Sequence, residues 1–186
     1  IGNFPNDGVE ALTFGQTRTL YLGIEKDIKK QARVFSLQMH SAFWQSDEFA
    51  IVTDVALNLP TFESGNHPIN GMNYYQTADG REFLLMAARN DETLWVVDLS
   101  GQKETTILPI DFFAEIHISS EGCENYEVMD NASIEGVAVV DNTLWLVNDP
   151  WKAVYLNNIQ CVQNRAHYQK FAPLLFSVPI QSKWFD

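Results

Sequence analysis

The sequence predicts an all-β fold of about three four-stranded antiparallel blades, half of a six-bladed β-propeller ring. Three observations carry this expectation. Apolar runs of five to nine residues, rich in Val, Ile, Leu and aromatics, alternate with turn residues along the chain. No window of 12 or more residues keeps a clean helical period. One two-strand pattern recurs three times at near-constant spacing.

The first unit, residues 1–65, opens with Val9 to Phe14 and Thr19 to Glu25, turning at Gly15-Gln16. Apolar runs from Ala32 to Leu37 and from Phe49 to Leu57 follow. Ile24 to Arg33 is the longest candidate helix, but Lys29-Lys30-Gln31 make it polar, and it reads as a hairpin loop. The second unit, residues 66–130, repeats the plan with Ile69 to Tyr74, a turn at Ala78-Asp79-Gly80, and Glu82 to Ala88. Thr93 to Leu99 and Thr105 to Ile110 complete it. The third, residues 131–186, has Ile134 to Val139, a turn at Asp141-Asn142, and Thr143 to Asn148. Its remaining strands are expected at Ala153 to Leu156 and Phe171 to Val178. The anchors Glu10, Asn70 and Glu135 lie 60 and 65 residues apart, room for four short strands each. A β-sandwich or barrel of about twelve strands is the alternative architecture.

Three blades do not close a ring. An open half exposes two apolar flanks, so either a further segment or homodimerisation is expected to complete it. The chain begins at Ile1 without a Met, which fits an upstream portion that was removed or lies outside this sequence.

Composition narrows the partners. The 186 residues carry 24 acids against 12 bases, a net charge of −12. That field repels phosphate backbones and anionic membrane surfaces, so nucleic acid is a poor partner. No apolar run approaches the length of a membrane span. The acid is concentrated. From Glu104 to Trp151 there are ten acids and no Lys or Arg. This window reads either as a solvated loop or as an oxygen-rich surface for a hard cation such as Ca²⁺.

Cys123 and Cys161 could close one bridge of 39 residues, worth roughly 4 kcal/mol in the chain-entropy model, or stay as free buried thiols. A bridge fits an extracytoplasmic location, periplasmic or secreted. Asn131-Ala132-Ser133 matches a glycosylation sequon.

Ile134-Glu135-Gly136-Val137-Ala138, followed by Leu144-Trp145-Leu146-Val147-Asn148-Asp149, resembles the blades of two related groups. These are the "esterase-like activity of phytase" family and the SdiA-regulated family. Glu10-Ala11-Leu12 with Leu20-Tyr21-Leu22-Gly23 resembles the same blade. The middle unit departs from it, with Asn70 in place of Glu and Arg89-Asn90-Asp91 after its second strand. Gluconolactonase-like and strictosidine-synthase-like propellers are similar in blade grammar. The resemblance covers three segments of 20 to 25 residues. It implies an exported propeller, often tied to calcium, with phosphoesterase or lactonase activity in some relatives.

Topology alone collects a constellation. In an antiparallel pair, the start of the first strand and the end of the second share an edge. This brings Glu10 near Glu25, Asn70 near Arg89, and Glu135 near Asn148 and Asp149, around the axial opening. Carboxylates and amides meeting there suit Ca²⁺. The expected ligands are Glu10, Asn70, Glu135 and Asn148, with Glu25 or Asp149 as the base that activates water. Arg89 either neutralises the ring or grips a substrate phosphate or carboxylate. His67 and Trp151 flank the opening as substrate-side candidates, whereas His40, His117 and His167 stand alone. Tyr21, Trp95 and Trp145 are expected to pack between blades. The competing reading has the strand-start Glu bind backbone N–H groups of its own turn, as a blade-stitching device. The protein is then either a calcium-dependent hydrolase of phosphoesters or lactones, or a non-catalytic propeller that binds a protein or glycan. No Gly-x-Ser-x-Gly elbow, phosphate loop or His-Glu-x-x-His is present.

Overall fold

A computed structural model describes residues 8–45, 50–62, 68–111, 113–115, 126–128, 133–149, 159, 161–169 and 173–186. The first sheet holds β1 (Val9–Phe14), β2 (Thr19–Ile24), β3 (Arg33–Gln38) and β4 (Val52–Asp54), in that order. The second holds β5 (Pro68–Gln76), β6 (Glu82–Ala88), β7 (Thr93–Asp98) and β8 (Thr106–Pro109). Within the segment expected to be a long acidic linker, β9 (Phe113–Glu115) and β10 (Tyr126–Val128) pair with each other. The third sheet holds β11 (Ile134–Val140), β12 (Thr143–Asn148) and β13 (Leu175–Pro179). Every pairing is antiparallel.

The three expected units are therefore present as sheets of four, four and three strands, none of them closed. One assignment needs correction. The run from Leu175 was expected as a fourth strand, but β13 pairs directly with β12 and takes the third place. The run at Ala153 to Leu156 lies outside the described residues. Between them stands α1 (Val162–Tyr168), two turns long, too short to show a periodic signal in sequence. Among the described residues no helix is long and apolar enough to cross a membrane.

The hairpins follow from local chemistry. Asp141 and Asn142 both take positive φ, +47° and +60°, which is the type I′ geometry that matches strand twist. Gly80 takes φ +89° in the second sheet's hairpin, where a side chain would be strained. Asp27 accepts the backbone N–H groups of Lys29 and Gln31, which closes the β2–β3 loop as a loop and not a helix.

The sheets stack face to face. Leu84, Met86, Ala88, Trp95 and Val97 of the middle sheet pack with Ala11, Val34 and Ile69 toward the first sheet. Phe83, Leu85, Ala87, Leu94 and Val96 pack with Leu144, Leu146, Ile159 and Trp184 toward the third. With both faces covered, β6 needs apolar residues at consecutive positions, and Phe83 to Ala88 are all buried. Each such Leu or Met stabilises the fold by roughly 1.5–3 kcal/mol relative to exposure. The first strands come closest together, with β1 and β11 both lying against β5. Gly71 permits the second approach, since a Cβ there would sit 2.4 Å from the carbonyl oxygen of Glu135. Thr13 Oγ1 accepts the Tyr74 N–H at 2.9 Å, and Asn73 Oδ1 accepts the Val139 N–H at 3.3 Å. The same joint is thus made twice, by residues at equivalent register positions. Trp95 is buried between sheets and Tyr21 stacks on Tyr74, as expected, but Trp145 faces outward at 36% exposure.

Candidate functional site

Each first strand carries a bulge at the same place. Glu10 is the extra residue of β1, Ile69 and Asn70 are the extra residues of β5, and Glu135 is the extra residue of β11. A bulge re-aims a side chain away from the regular pleat. Ile69 takes φ +61°, a costly conformation for a β-branched residue, and is held there fully buried against Gly23. The second strands end opposite these bulges, at Ile24, Ala88 and Asn148. The residues just beyond are Glu25, Arg89 and Asp149.

Four of the expected site residues are brought together. Asn70 Nδ2 donates to Glu25 Oε1 at 2.5 Å, and Asn70 Oδ1 accepts the Arg89 backbone N–H at 3.3 Å. The Arg89 guanidinium forms an ion pair with Glu135. Glu25 is 2% exposed and Asn70 is nearly as buried, whereas Arg89 and Glu135 are half-buried. The chain of bonds runs from the first sheet through the second to the third.

Glu10 is exposed on its bulge. Asn148 is buried, and its Oδ1 accepts the Leu174 N–H at 2.6 Å. Its Nδ2 has no hydrogen-bond partner among the described residues. Asp149 is exposed, with its backbone N–H on the Ser133 carbonyl at 2.9 Å. His67 and Trp151 lie outside the described residues, as do Cys123, His117 and Asn131. Cys161 is disulfide-bonded, and the chain has one other cysteine.

Arg89 is paired with Glu135, and Lys26, the residue after Glu25, is buried with its Nζ 5.9 Å from the centre of the Phe62 ring. Among the described residues no three His, Cys, Asp or Glu side chains cluster so as to hold a metal. The crevice beside Arg89 is narrow and lined by Ala88, Glu92, Thr93, Ile110, Ser133 and Ile134. The wider grooves open elsewhere. One lies between the β2–β3 loop and residues 54–62, and another lies between Leu108 of the second sheet and Phe176 and Trp184 of the third.

Sequence reasoning placed Arg89 at this rim but left its partner open, and it missed the cross-sheet acceptors Thr13 and Asn73. A signal for them existed. Both are polar residues at the same position of otherwise apolar first strands. No family model, curated protein or solved structure matches the chain.

Proposed function

We propose that the chain is an arc of propeller blades serving as a non-catalytic interaction module for a protein or glycan partner. The observation that supports this most is the Glu25–Asn70–Arg89–Glu135 network. Its carboxylates are already engaged by an amide and a guanidinium, so they act between sheets and not toward a ligand. A calcium site needs six to eight oxygens and a net negative shell. Here Arg89 supplies a positive charge at the same place, and a cation would have to displace it from Glu135. The disulfide at Cys161 supports an extracytoplasmic setting.

The test is a thermal melt with Ca²⁺ and with EDTA, alongside assays on p-nitrophenyl phosphate and a simple lactone. The interaction reading expects coincident melts and no turnover. At 100-fold excess over Kd, a specific calcium site would add about 2.7 kcal/mol. For a chain of this size that is a shift of roughly 5–10 °C. Such a shift, lost in Glu135→Gln, would overturn the reading in favour of calcium-assisted hydrolysis.

A further inference from the structure

The sheets repeat a two-sided joint. In the middle sheet, one face of the first two strands packs on the preceding sheet and the opposite face on the following one. Leu12 and Phe14 of β1 hold the register positions of Met72 and Tyr74 in β5 and of Val137 and Val139 in β11. The last four pack into the cores between sheets. Leu12 and Phe14 are 59% and 56% exposed, against 4% for Met72. Met39 and Phe43 cover the neighbouring Leu20 and Leu37 but leave β1 open. At the other end, Trp145 and Val147 hold the positions of Leu85 and Ala87, which are fully buried against the third sheet. Trp145 and Val147 are 36% and 38% exposed, with Val140 and Leu175 open beside them. The face formed by Ala138, Val140, Trp145, Val147, Leu175 and Ser177 carries no charge, in a chain of net charge −12.

We infer that these two open faces bind each other in a second copy of this chain, giving a two-fold dimer whose six sheets close one ring. The occupant follows from the repeat. The open face of the first sheet is the half-joint that a preceding sheet covers elsewhere, and the open face of the third is the half-joint that a following sheet covers. One kind of chain supplies both halves, and a two-fold axis buries both at once. Paired apolar faces of this kind are a recognised mark of an interface. The joint between copies is the weakest of the ring. Ala138 stands where Thr13 and Asn73 accept a cross-sheet N–H, so that bond has no counterpart. The residue after a second strand meets the bulge residue of the next sheet, as in Glu25 with Asn70 and Arg89 with Glu135. Between copies the equivalent pair is Asp149 and Glu10, two acids that repel.

This inference rests on the propeller-arc part of the proposed function and not on what the rim binds. A calcium response would overturn the interaction reading and leave the dimer standing, whereas a monomer would do the reverse. Sedimentation velocity over a concentration series tests it. The expected result is a concentration-dependent species of twice 21.1 kDa. Phe14→Asp and Trp145→Asp should each give monomer with an unchanged circular dichroism spectrum. Leu12→Asp and Val147→Asp serve the same purpose if either of those misfolds. Mixing the Phe14→Asp and Trp145→Asp chains should restore a heterodimer, because each retains the face that the other has lost. A monomer at every concentration, or a mixture that does not pair, would overturn the inference.

Discussion

Asn70→Ala isolates one of the bonds that tie the first sheet to the second. Asn70 donates to a carboxylate that is 2% exposed and accepts the Arg89 backbone N–H. Hydrogen bonds to charged groups contribute about 1.5–3 kcal/mol, and neutral ones about 1. Alanine also leaves the Glu25 oxygen short of a donor in a place that water does not reach freely. The expected loss is therefore about 3 kcal/mol, a fall in Tm of roughly 6–12 °C for a chain of this length. Urea unfolding followed by circular dichroism, at fixed ionic strength, measures it. A double-mutant cycle with Glu25→Ala separates the pair from simple truncation. If the bond carries the effect, Asn70→Ala should cost about 1 kcal/mol in the Glu25→Ala background, leaving a coupling of about 2 kcal/mol. A single-mutant loss below about 0.5 kcal/mol, or an additive cycle, would show that the network does not stitch the sheets.

Gly71→Ala places a Cβ 2.4 Å from the Glu135 carbonyl oxygen and 3.1 Å from Val137 Cγ2, so β5 and β11 must separate. A loss above about 2 kcal/mol in urea is expected. Asp98 gives the acid limb of stability. Burial opposes its ionisation, but the Ser100 hydroxyl and the N–H groups of Ser100, Lys103 and Gln102 outweigh it and lower its pKa from 3.8. A depressed folded pKa contributes stability above the unfolded value, lost as pH falls through the folded one. Asp98→Asn should therefore be less stable than the parent at pH 7 and converge with it in strong acid, as read from urea midpoints along a pH series. Cys161→Ser, or reduction of the parent, should lower stability by about 4 kcal/mol if the 39-residue loop to the other cysteine is what the bridge closes. The two treatments should not add.

Much of the sheet order was legible because hairpin chemistry is local. Asp141-Asn142 and Asp79-Gly80 announce their turns, and the apolar runs on either side pair across them. The third sheet was harder. After β12 the chain passes through α1 before β13, and two apolar runs competed for the place next to β12. Sequence spacing favours the nearer run, while strand pairing depends on a path that composition does not encode. The bulges explain why the anchor residues stood out. Glu10, Asn70 and Glu135 interrupt apolar alternation because each is pushed out of the pleat. Sequence could show that these positions were special but not which neighbour they would meet. That choice depends on how closely β5 approaches its flanking strands.

The rim residues also carry an argument of their own, since one chain presents the same pair of positions three times. In the first joint an acid precedes and an amide follows, as Glu25 and Asn70. In the second a guanidinium precedes and an acid follows, as Arg89 and Glu135. Residue identity changes, and even the sign changes sides, but a donor always meets an acceptor. A metal shell spread over these positions would be expected to keep oxygen ligands in all of them, because a guanidinium among them opposes the cation. A stitch between sheets asks only for complementarity. In the proposed dimer the third pair would be Asp149 and Glu10, two acids, and there this complementarity would fail.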